Sequence, residues 1–277
     1  MLVDRACAAA APAHAQAPAS GTGQPAGGDT LSPGACLALG PTGPSRGRTV
    51  FVDPGHGGPD PGVVGRAASG QELRESAVAL AVATDLAGDL RADGYRVVLS
   101  RSGDTSVLRF LAGDLANGLM SADQVRQDLR ARVRCANRSA AAALLSIHFN
   151  GYSDSSAQGA QTIYDAVRPF AARSRRLAEG LQSALVSRAG LADRGLETDD
   201  QLQAPVLSDQ AGSYGHLVLL GPPQPGWLDQ GTTMPGALVE SMFLTSPADA
   251  ALVSTAAGRQ RLAAALEAGL RSYLATT

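Results

Sequence analysis

The stretch TVFVDPGH, residues 49–56, decides the fold of this chain. Short unbroken apolar runs like its first half are typical of buried strands in a mostly parallel sheet. Two further runs have the same form: ALLSI (143–147) leads into His148, and PGALV (235–239) leads into Glu240. Ligands bind at the carboxyl ends of such strands. The sequence therefore predicts that His56, His148 and Glu240 meet at one edge of a sheet, where they would suit a metal hydrolase.

Strand-like and helix-like segments alternate from about residue 49 onward. The predicted helices cover 72–91, 124–143, 170–187 and a closing segment with leucines at 262, 266, 270 and 274. The further predicted strands cover 95–99, 160–164 and 216–220. This alternation favours an α/β fold. We predict a single domain over 49–277, a mostly parallel central sheet with helices on both faces and a metal site at the strand carboxyl ends.

Composition excludes several kinds of function. The chain has 277 residues, 44% of them apolar, and a net charge of −2, which gives no electrostatic reason to expect nucleic acid or an anionic membrane as a partner. All 23 basic residues are arginine, which excludes a lysine Schiff base, a lysine nucleophile and the P-loop lysine. No segment approaches the roughly 20 apolar residues that a membrane-spanning helix needs.

Residues 1–48 differ in composition from the rest. Alanine, glycine and proline supply more than half of this segment, and it lacks apolar periodicity. We predict a leader remnant followed by a disordered linker, because such a segment cannot bury enough surface to offset its ordering entropy. Ala13-His14-Ala15 has the small-x-small form of a signal-peptidase site, although a basic and apolar leader is missing. We therefore expect export to the cell wall, a periplasm-like space or the exterior.

The three cysteines are Cys7, Cys36 and Cys135. Cleavage of a leader would remove Cys7 and leave an even pair. A disulfide between Cys36 and Cys135 would tie the linker to the core and would suit an exported protein. Spacing alone leaves open the alternative that either cysteine is a buried thiol.

The candidate metal ligands each have a structural alternative. Neutral imidazole is the commonest zinc ligand, and catalytic zinc sites keep three protein ligands and one open position. His56 and His148 could equally be hydrogen-bonded turn or core residues. Glu72 and Glu75 are candidates for a third ligand, but an acid at a helix start also favours the macrodipole. Glu240 is harder to explain structurally, because a buried acid is costly unless it is paired or binds metal.

Several motifs follow one another in a fixed order. They are VDPGHGG (52–58), Glu75 five residues before Leu80, LSR (99–101), Arg132 five residues before Asn137, SIHFN (146–150), DRG (193–195) and LVESMF (238–243). With these motifs the chain resembles the zinc-dependent N-acetylmuramoyl-L-alanine amidases of the amidase-3 type over about residues 49–274. The resemblance implies one zinc ion per chain, held by His56, Glu75 and His148, with Glu240 as the catalytic residue.

The resemblance implies hydrolysis of the amide bond between N-acetylmuramic acid and L-alanine in peptidoglycan. Two alternatives stay open: a zinc peptidase or carboxypeptidase acting on another cell-wall amide, and a non-catalytic wall-binding protein. The presence of all four site residues argues against the second alternative. The expected partners are peptidoglycan and its muropeptides; a requirement for a protein activator and the oligomeric state are left open by the sequence.

Two further features lie outside these motifs. Residues 104–131 make this part of the chain longer than is usual in the family, and we predict a helical insertion, either packed on the sheet or acting as a lid or docking helix. His216 begins the predicted strand 216–220. A substrate contact is one interpretation of His216, but we favour a structural role.

Overall fold

A computed structural model describes residues 30–202, 214–225, 228 and 230–276. Residues 1–29, which include Cys7 and the predicted leader, lie outside the described residues. The strands are β1 (Leu37–Leu39), β2 (Thr49–Pro54), β3 (Val64–Arg66), β4 (Glu72–Arg74), β5 (Arg96–Leu99), β6 (Ala143–Asn150), β7 (Ala160–Tyr164), β8 (Asp193–Thr198) and β9 (Gly236–Phe243). The α-helices are α1 (Glu75–Ala92), α2 (Ala122–Ser139), α3 (Ala171–Ser187), α4 (Pro247–Val253) and α5 (Ala256–Leu274).

Seven of the strands form one central sheet in the order β1-β5-β2-β6-β9-β7-β8. Strands β5, β2, β6 and β9 run parallel to one another, β1 pairs with β5 antiparallel, and β7 pairs with β9 antiparallel. Strands β3 and β4 form a separate antiparallel ribbon. The prediction of an α/β domain with a mostly parallel sheet is confirmed.

Alternate residues of β2 explain why the sheet carries helices on both faces. Val50 and Val52 pack into a core with α1, α3 and α5, whereas Phe51 points to the other face and packs with α2 and the segment 214–220. All three side chains are fully buried. A strand covered on both faces needs a continuous apolar sequence, which is the pattern that β2 shows.

The register of the parallel strands brings the predicted site residues to one edge. His148 on β6 lies opposite Glu240 on β9. Pro54 at the end of β2 lies opposite Ile147, so His56 follows at the same edge as His148. The geometric prediction made from the three apolar runs therefore agrees with the observed sheet.

Two predicted elements differ from the observed ones. Glu72 was expected to open the first helix, but it lies in β4, because residues 72–74 pair with β3 and α1 begins only at Glu75. Residues 216–220 were expected to form a strand, but they form a turn whose leucines are buried against the second face of the sheet. A short apolar run indicates burial without fixing the type of element.

The predicted insertion is only partly helical. Residues 104–121 are mostly irregular, with a 3₁₀ turn at Ala112–Asp114. Ser121 then caps α2 by accepting a hydrogen bond from the backbone N–H of Gln124, whose side chain accepts one from the Ser121 backbone N–H in return. This capping box fixes the start of the helix.

Residues 30–48 differ from the predicted linker, because they pack on the domain. Strand β1 extends the sheet by pairing Leu37 with Leu99. The next residue upstream, Cys36, forms a disulfide with Cys135 of α2, with the two Cα atoms 5.6 Å apart. Strand pairing at the sheet edge and the disulfide together offset the entropy lost when these residues become ordered. Burial of the segment's own side chains would not offset it.

Among the described residues, none of the helices combines the length and the apolar character that crossing a membrane would require.

We expect the full chain, purified without reductant and then unfolded, to expose one reactive thiol (Cys7), and three after reduction. The bridge closes a loop of 99 residues, so Cys135→Ser should lower the free energy of unfolding by up to roughly 4–5 kcal/mol. Thiol titration and urea unfolding measure the two effects. Cys7→Ser is the matched control and should leave stability unchanged. Three reactive thiols without reduction would contradict the pairing.

Candidate metal centre

His56 follows β2 through a tight backbone turn. Its φ is 58°, in the left-handed region that a residue with a side chain seldom adopts, and Gly57 and Gly58 also have positive φ. The backbone N–H of Gly55 donates to the carbonyl of Ile147 on β6, which keeps the turn beside the neighbouring strand. This conformation aims the imidazole across the sheet edge and costs on the order of 1–3 kcal/mol, which surrounding contacts must offset.

Two buried guanidinium groups supply those contacts. Arg101 donates to the carbonyls of Pro54 at 3.0 Å and Gly55 at 2.8 Å. Arg132 donates to the carbonyls of Pro54 at 2.9 Å and His56 at 2.6 Å. Both arginine residues are at most 2% exposed. Three consecutive carbonyls are thus held by charged donors, which form stronger hydrogen bonds than neutral ones.

Asp53 balances the charge of Arg132 below the turn. Its carboxylate accepts from Arg132 at 2.8 Å and from the hydroxyls of Ser100 and Ser146. Burial opposes the ionisation of Asp53, but Arg132 and the two hydroxyls together hold its pKa below the ordinary value. Asp128 pairs with the other side of the same guanidinium at 2.9 Å. The buried charges are therefore paired, as buried charges must be.

Glu75, at the first position of α1, is the hub of the site. Its Oε2 accepts the backbone N–H of Val63 at 2.8 Å, and its Oε1 accepts that of Phe149 at 2.9 Å. Oε1 also lies 3.1 Å from Nε2 of His56 and 3.1 Å from Nδ1 of His148. The residue is 2% exposed. The other candidate, Glu72, is exposed on β4 and does not join the cluster.

His56, Glu75 and His148 form a group that could hold a metal ion, with one ligand atom from each lying within 4.8 Å of the others. At two glycines beside the group, a side chain would clash with the candidate ligands. A Cβ on Gly55 would lie 2.3 Å from the His148 ring, and one on Gly62 would lie 2.5 Å from Oε2 of Glu75. The two glycines therefore allow the backbone to approach the site closely.

Asp60 orients the first imidazole. Its Oδ2 lies 2.8 Å from Nδ1 of His56, so a proton on Nδ1 leaves Nε2 as the atom that faces Glu75. A carboxylate behind a histidine ligand is the usual way to fix its tautomer. Asp60 was not among the predicted site residues, although its position four residues after the histidine could have indicated this role.

The electrostatics of the group are those of an acid between two imidazoles. Burial opposes charge on Glu75, but His56 and His148 hold its pKa well below the ordinary value. Burial likewise opposes charge on His56, but Glu75 and Asp60 raise its pKa to about 10. A divalent cation would take the place of the protons that now balance the carboxylates.

Glu240 lies on β9, beside the cluster. In the sheet register it is opposite His148 of β6 on one side and Gln161 of β7 on the other. Burial, together with the charge of Glu75, raises its pKa to about 7. Its Oε2 is buried and has no hydrogen-bond partner among the described residues. An acid with such a pKa suits proton transfer near neutral pH.

The donor set fits a zinc ion. Two imidazoles and one carboxylate form the ligand set of several catalytic zinc sites, which keep a further position open. The orienting carboxylate of Asp60 and the unpartnered oxygen of Glu240 are consistent with that fit. A cleft of about 980 Å³ is lined by His56, Glu75, His148 and Glu240, together with Arg194, Glu197 and apolar residues of α2.

Comparison with known proteins shows extensive similarity. The family described as N-acetylmuramoyl-L-alanine amidase matches residues 50–272. The N-acetylmuramoyl-L-alanine amidase LytC of Bacillus subtilis is 32% identical over 230 residues, which are 83% of this chain and 36% of LytC. The chain thus spans about a third of LytC. The amidase AmiA of Escherichia coli is 28% identical over 250 residues, covering 82% of this chain and 76% of AmiA.

Solved structures of amidases share the fold. The crystal structure of an N-acetylmuramoyl-L-alanine amidase from Clostridium difficile 630 has a TM-score of 0.59 and 28% identity, covering 83% of this chain and 98% of that one. The CwlD amidase from Clostridioides difficile, solved in complex with the GerS lipoprotein, has a TM-score of 0.62 and 22% identity, covering 83% of this chain and all of that one.

We expect Arg132→Met to lower the free energy of unfolding by about 3–5 kcal/mol, because it leaves Asp53 charged and buried without its main partner. Urea unfolding measures the change. Arg138→Met is the matched control, since Arg138 is exposed on the same helix, and it should shift stability by no more than about 0.5 kcal/mol. Equal stability of the two variants would contradict the structural role of Arg132.

Proposed function

We propose that this chain, which belongs to the N-acetylmuramoyl-L-alanine amidase family, is a zinc hydrolase. It would cleave the amide bond between N-acetylmuramic acid and L-alanine. Peptidoglycan is the substrate class that the family and its named relatives indicate. The finer parts of the proposal are the zinc ligands, His56, Glu75 and His148, and the catalytic role of Glu240.

The observation that carries this proposal is a buried carboxylate without a hydrogen-bond partner beside a convergent ligand set. Glu240 is the neighbour of His148 across the sheet, and the ligand atoms of His56, Glu75 and His148 lie close together. A structural acid in a sheet would be expected to have a hydrogen-bond partner. An acid that serves a reacting molecule must keep an oxygen available for it.

Zinc bound at this site would act as a Lewis acid and bring the pKa of a water ligand to about 7. The protein residues supply the rest. Glu75 is fixed by two backbone N–H groups, so it can present one oxygen to the ion without rotating. Asp60 holds the tautomer of His56, and Arg132 holds the backbone on which His56 is carried.

Glu240 acts as the general base and then as the general acid. In its ionised form it accepts the proton of the attacking water molecule, and it then passes that proton to the nitrogen of the leaving L-alanine. Burial raises the pKa of Glu240 above its ordinary value, which makes its protonated form easier to reach and so suits the second transfer. Glu240 is carried by the central strand β9, in register with His148 on β6.

The cleft offers both polar and apolar contacts to a wall fragment. Gln161 and Glu197 are joined by a hydrogen bond of 2.7 Å on one side of the cleft, and exposed Arg194 stacks over Phe243 at 5.0 Å beside them. Leu129 of α2 contributes an apolar contact to the same cleft. We propose that Gln161, Glu197 and Arg194 bind the carboxylates and amides of the stem peptide.

The site of action is part of the proposal. Peptidoglycan, the proposed substrate class, lies outside the cytoplasm, and we propose that this chain is exported to that side of the membrane. The disulfide between Cys36 and Cys135 supports export, because such bonds persist in oxidising compartments. A protein activator also remains a proposal; the CwlD amidase provides a precedent for a protein complex in this fold.

We expect Glu240→Gln to keep its zinc and to lose at least 100-fold in turnover, because the amide is nearly isosteric but cannot take a proton. Release of stem peptides from purified muropeptides measures turnover, and metal analysis measures zinc. New L-alanine amino termini with intact sugar ends identify the amidase reaction and separate it from a peptidase. Full activity in Glu240→Gln would refute the role assigned to this residue.

We expect Glu75→Gln and His148→Ala each to bind one zinc equivalent fewer than the wild type and to be inactive, since each removes one of three ligands. Glu72→Gln is the matched control for Glu75→Gln: it lies three residues away, is exposed, and should retain both zinc and activity. Unchanged zinc content in His148→Ala would contradict the ligand assignment.

A further inference from the structure

We propose that Asp165, Asp199 and His216 form a second metal site, separate from the catalytic cluster, that binds a divalent transition ion such as Zn²⁺. The inference goes beyond the amidase function and does not depend on it. Neither Asp165 nor Asp199 was singled out from the sequence, and for His216 a structural role was favoured over a substrate contact.

Sheet register brings the two carboxylates together. Strands β7 and β8 are parallel, and Tyr164 lies opposite Thr198 at their ends. Asp165 and Asp199 are the residues that follow this last pair, so they leave the sheet side by side. The turn at 214–220 packs beside these strand ends and contributes His216.

In each carboxylate, one oxygen accepts hydrogen bonds from the backbone and the other faces the imidazole of His216. Oδ1 of Asp165 accepts the backbone N–H groups of Val167 and Arg168, both at 2.8 Å. Oδ2 of Asp199 accepts the backbone N–H of Leu217 at 3.0 Å. The remaining oxygens lie 3.1 Å (Asp165) and 3.2 Å (Asp199) from Nδ1 of His216. The three ligand atoms lie within 4.8 Å of one another.

An independent observation points to a cation at this cluster. Oδ2 of Asp165 is buried and, within the described part of the chain, makes no hydrogen bond, although it faces the imidazole. Asp165 is 2% exposed and Asp199 is fully buried. Two adjacent buried carboxylates repel each other, and a single imidazole can neutralise only one of them. A divalent cation would balance both charges and satisfy the unpartnered oxygen.

The neighbouring cation is engaged elsewhere. Arg168 follows Asp165 closely in sequence, but its guanidinium donates to the carbonyls of Gly221 and Thr232. These two hydrogen bonds hold the Arg168 guanidinium against the main chain at Gly221 and Thr232. Arg168 therefore leaves the inward oxygen of Asp165 to another partner.

The chemistry of the donors selects the class of ion. Imidazole nitrogen with two carboxylate oxygens suits zinc and neighbouring first-row ions better than calcium, which prefers six or more oxygen ligands. The side chain of His216 is 18% exposed, so an ion could reach the site from solvent. The cluster thus has both the ligands and the access that a metal site requires.

The site would fix one wall of the catalytic cleft from a distance. Gln161 of β7 lies opposite Glu240, and Asp165 follows four residues later, just past the end of β7, which corresponds to roughly 13 Å of extended chain. Leu217 and Leu219 belong to the same turn as His216 and line the cleft. An ion at the second site would therefore hold this wall in place without touching the reacting bond.

The test is zinc stoichiometry of the full chain by equilibrium dialysis and elemental analysis. We expect two zinc ions in the wild type, one in Asp165→Asn, one in His148→Ala and none in the double variant. Asp165→Asn keeps the oxygen that accepts the two backbone N–H groups, so the local turn should survive. Asp154→Asn, an exposed change of the same chemistry, is the matched control and should bind two.

His148→Ala decides the question without altering the proposed cluster. One residual zinc, together with a zinc-dependent rise in its unfolding temperature that His216→Ala abolishes in the same background, supports the second site. No residual zinc would overturn it and would leave the triad as an ion-paired structural cluster. The amidase proposal fails separately, through activity of Glu240→Gln or unchanged zinc in His148→Ala, so the two failures are distinguishable.

Discussion

The conformation of the backbone from Pro54 to His56 is the constraint on which the rest of the site depends. His56 adopts a left-handed conformation, and hydrogen bonds from Arg101 and Arg132 to three consecutive carbonyls stabilise it. The guanidiniums are buried, so they act at low dielectric, where charged hydrogen bonds are strong and unpaired charges are costly. Asp53 makes this arrangement tolerable by neutralising Arg132 from the end of the same strand.

Glu75 connects this rigid turn to the neighbouring strands. It stands at the start of α1, where the helix macrodipole also favours a carboxylate, and its oxygens receive backbone N–H groups from two different segments. Its Oε1 also contacts the imidazoles of both His56 and His148. The site is pre-organised by the scaffold, which is what a hydrolase needs if its ligands and base are to act without rearrangement.

The sheet also separates the two clusters of ionisable groups. Parallel strands deliver His56, His148 and Glu240 to one edge, whereas the reversal of β7 and β8 delivers Asp165 and Asp199 to the other. The turn that carries His216 covers the second cluster and reaches the cleft with its leucines. The two clusters share no residue, so each can be substituted without altering the other.

The sequence by itself determined the α/β class, the mostly parallel sheet and the edge at which His56, His148 and Glu240 meet, because buried strands require unbroken apolar runs and strand ends share an edge. The motifs around these residues were enough to select the amidase family. The family resemblance already favoured Glu75 over Glu72. Only the tertiary structure placed Glu72 on β4 away from the cluster, packed residues 30–48 on the domain, showed 216–220 as a turn and brought Asp165, Asp199 and His216 together. The physical reason is that strand pairing, a disulfide and loop packing join residues distant in sequence, and local periodicity carries no information about such contacts.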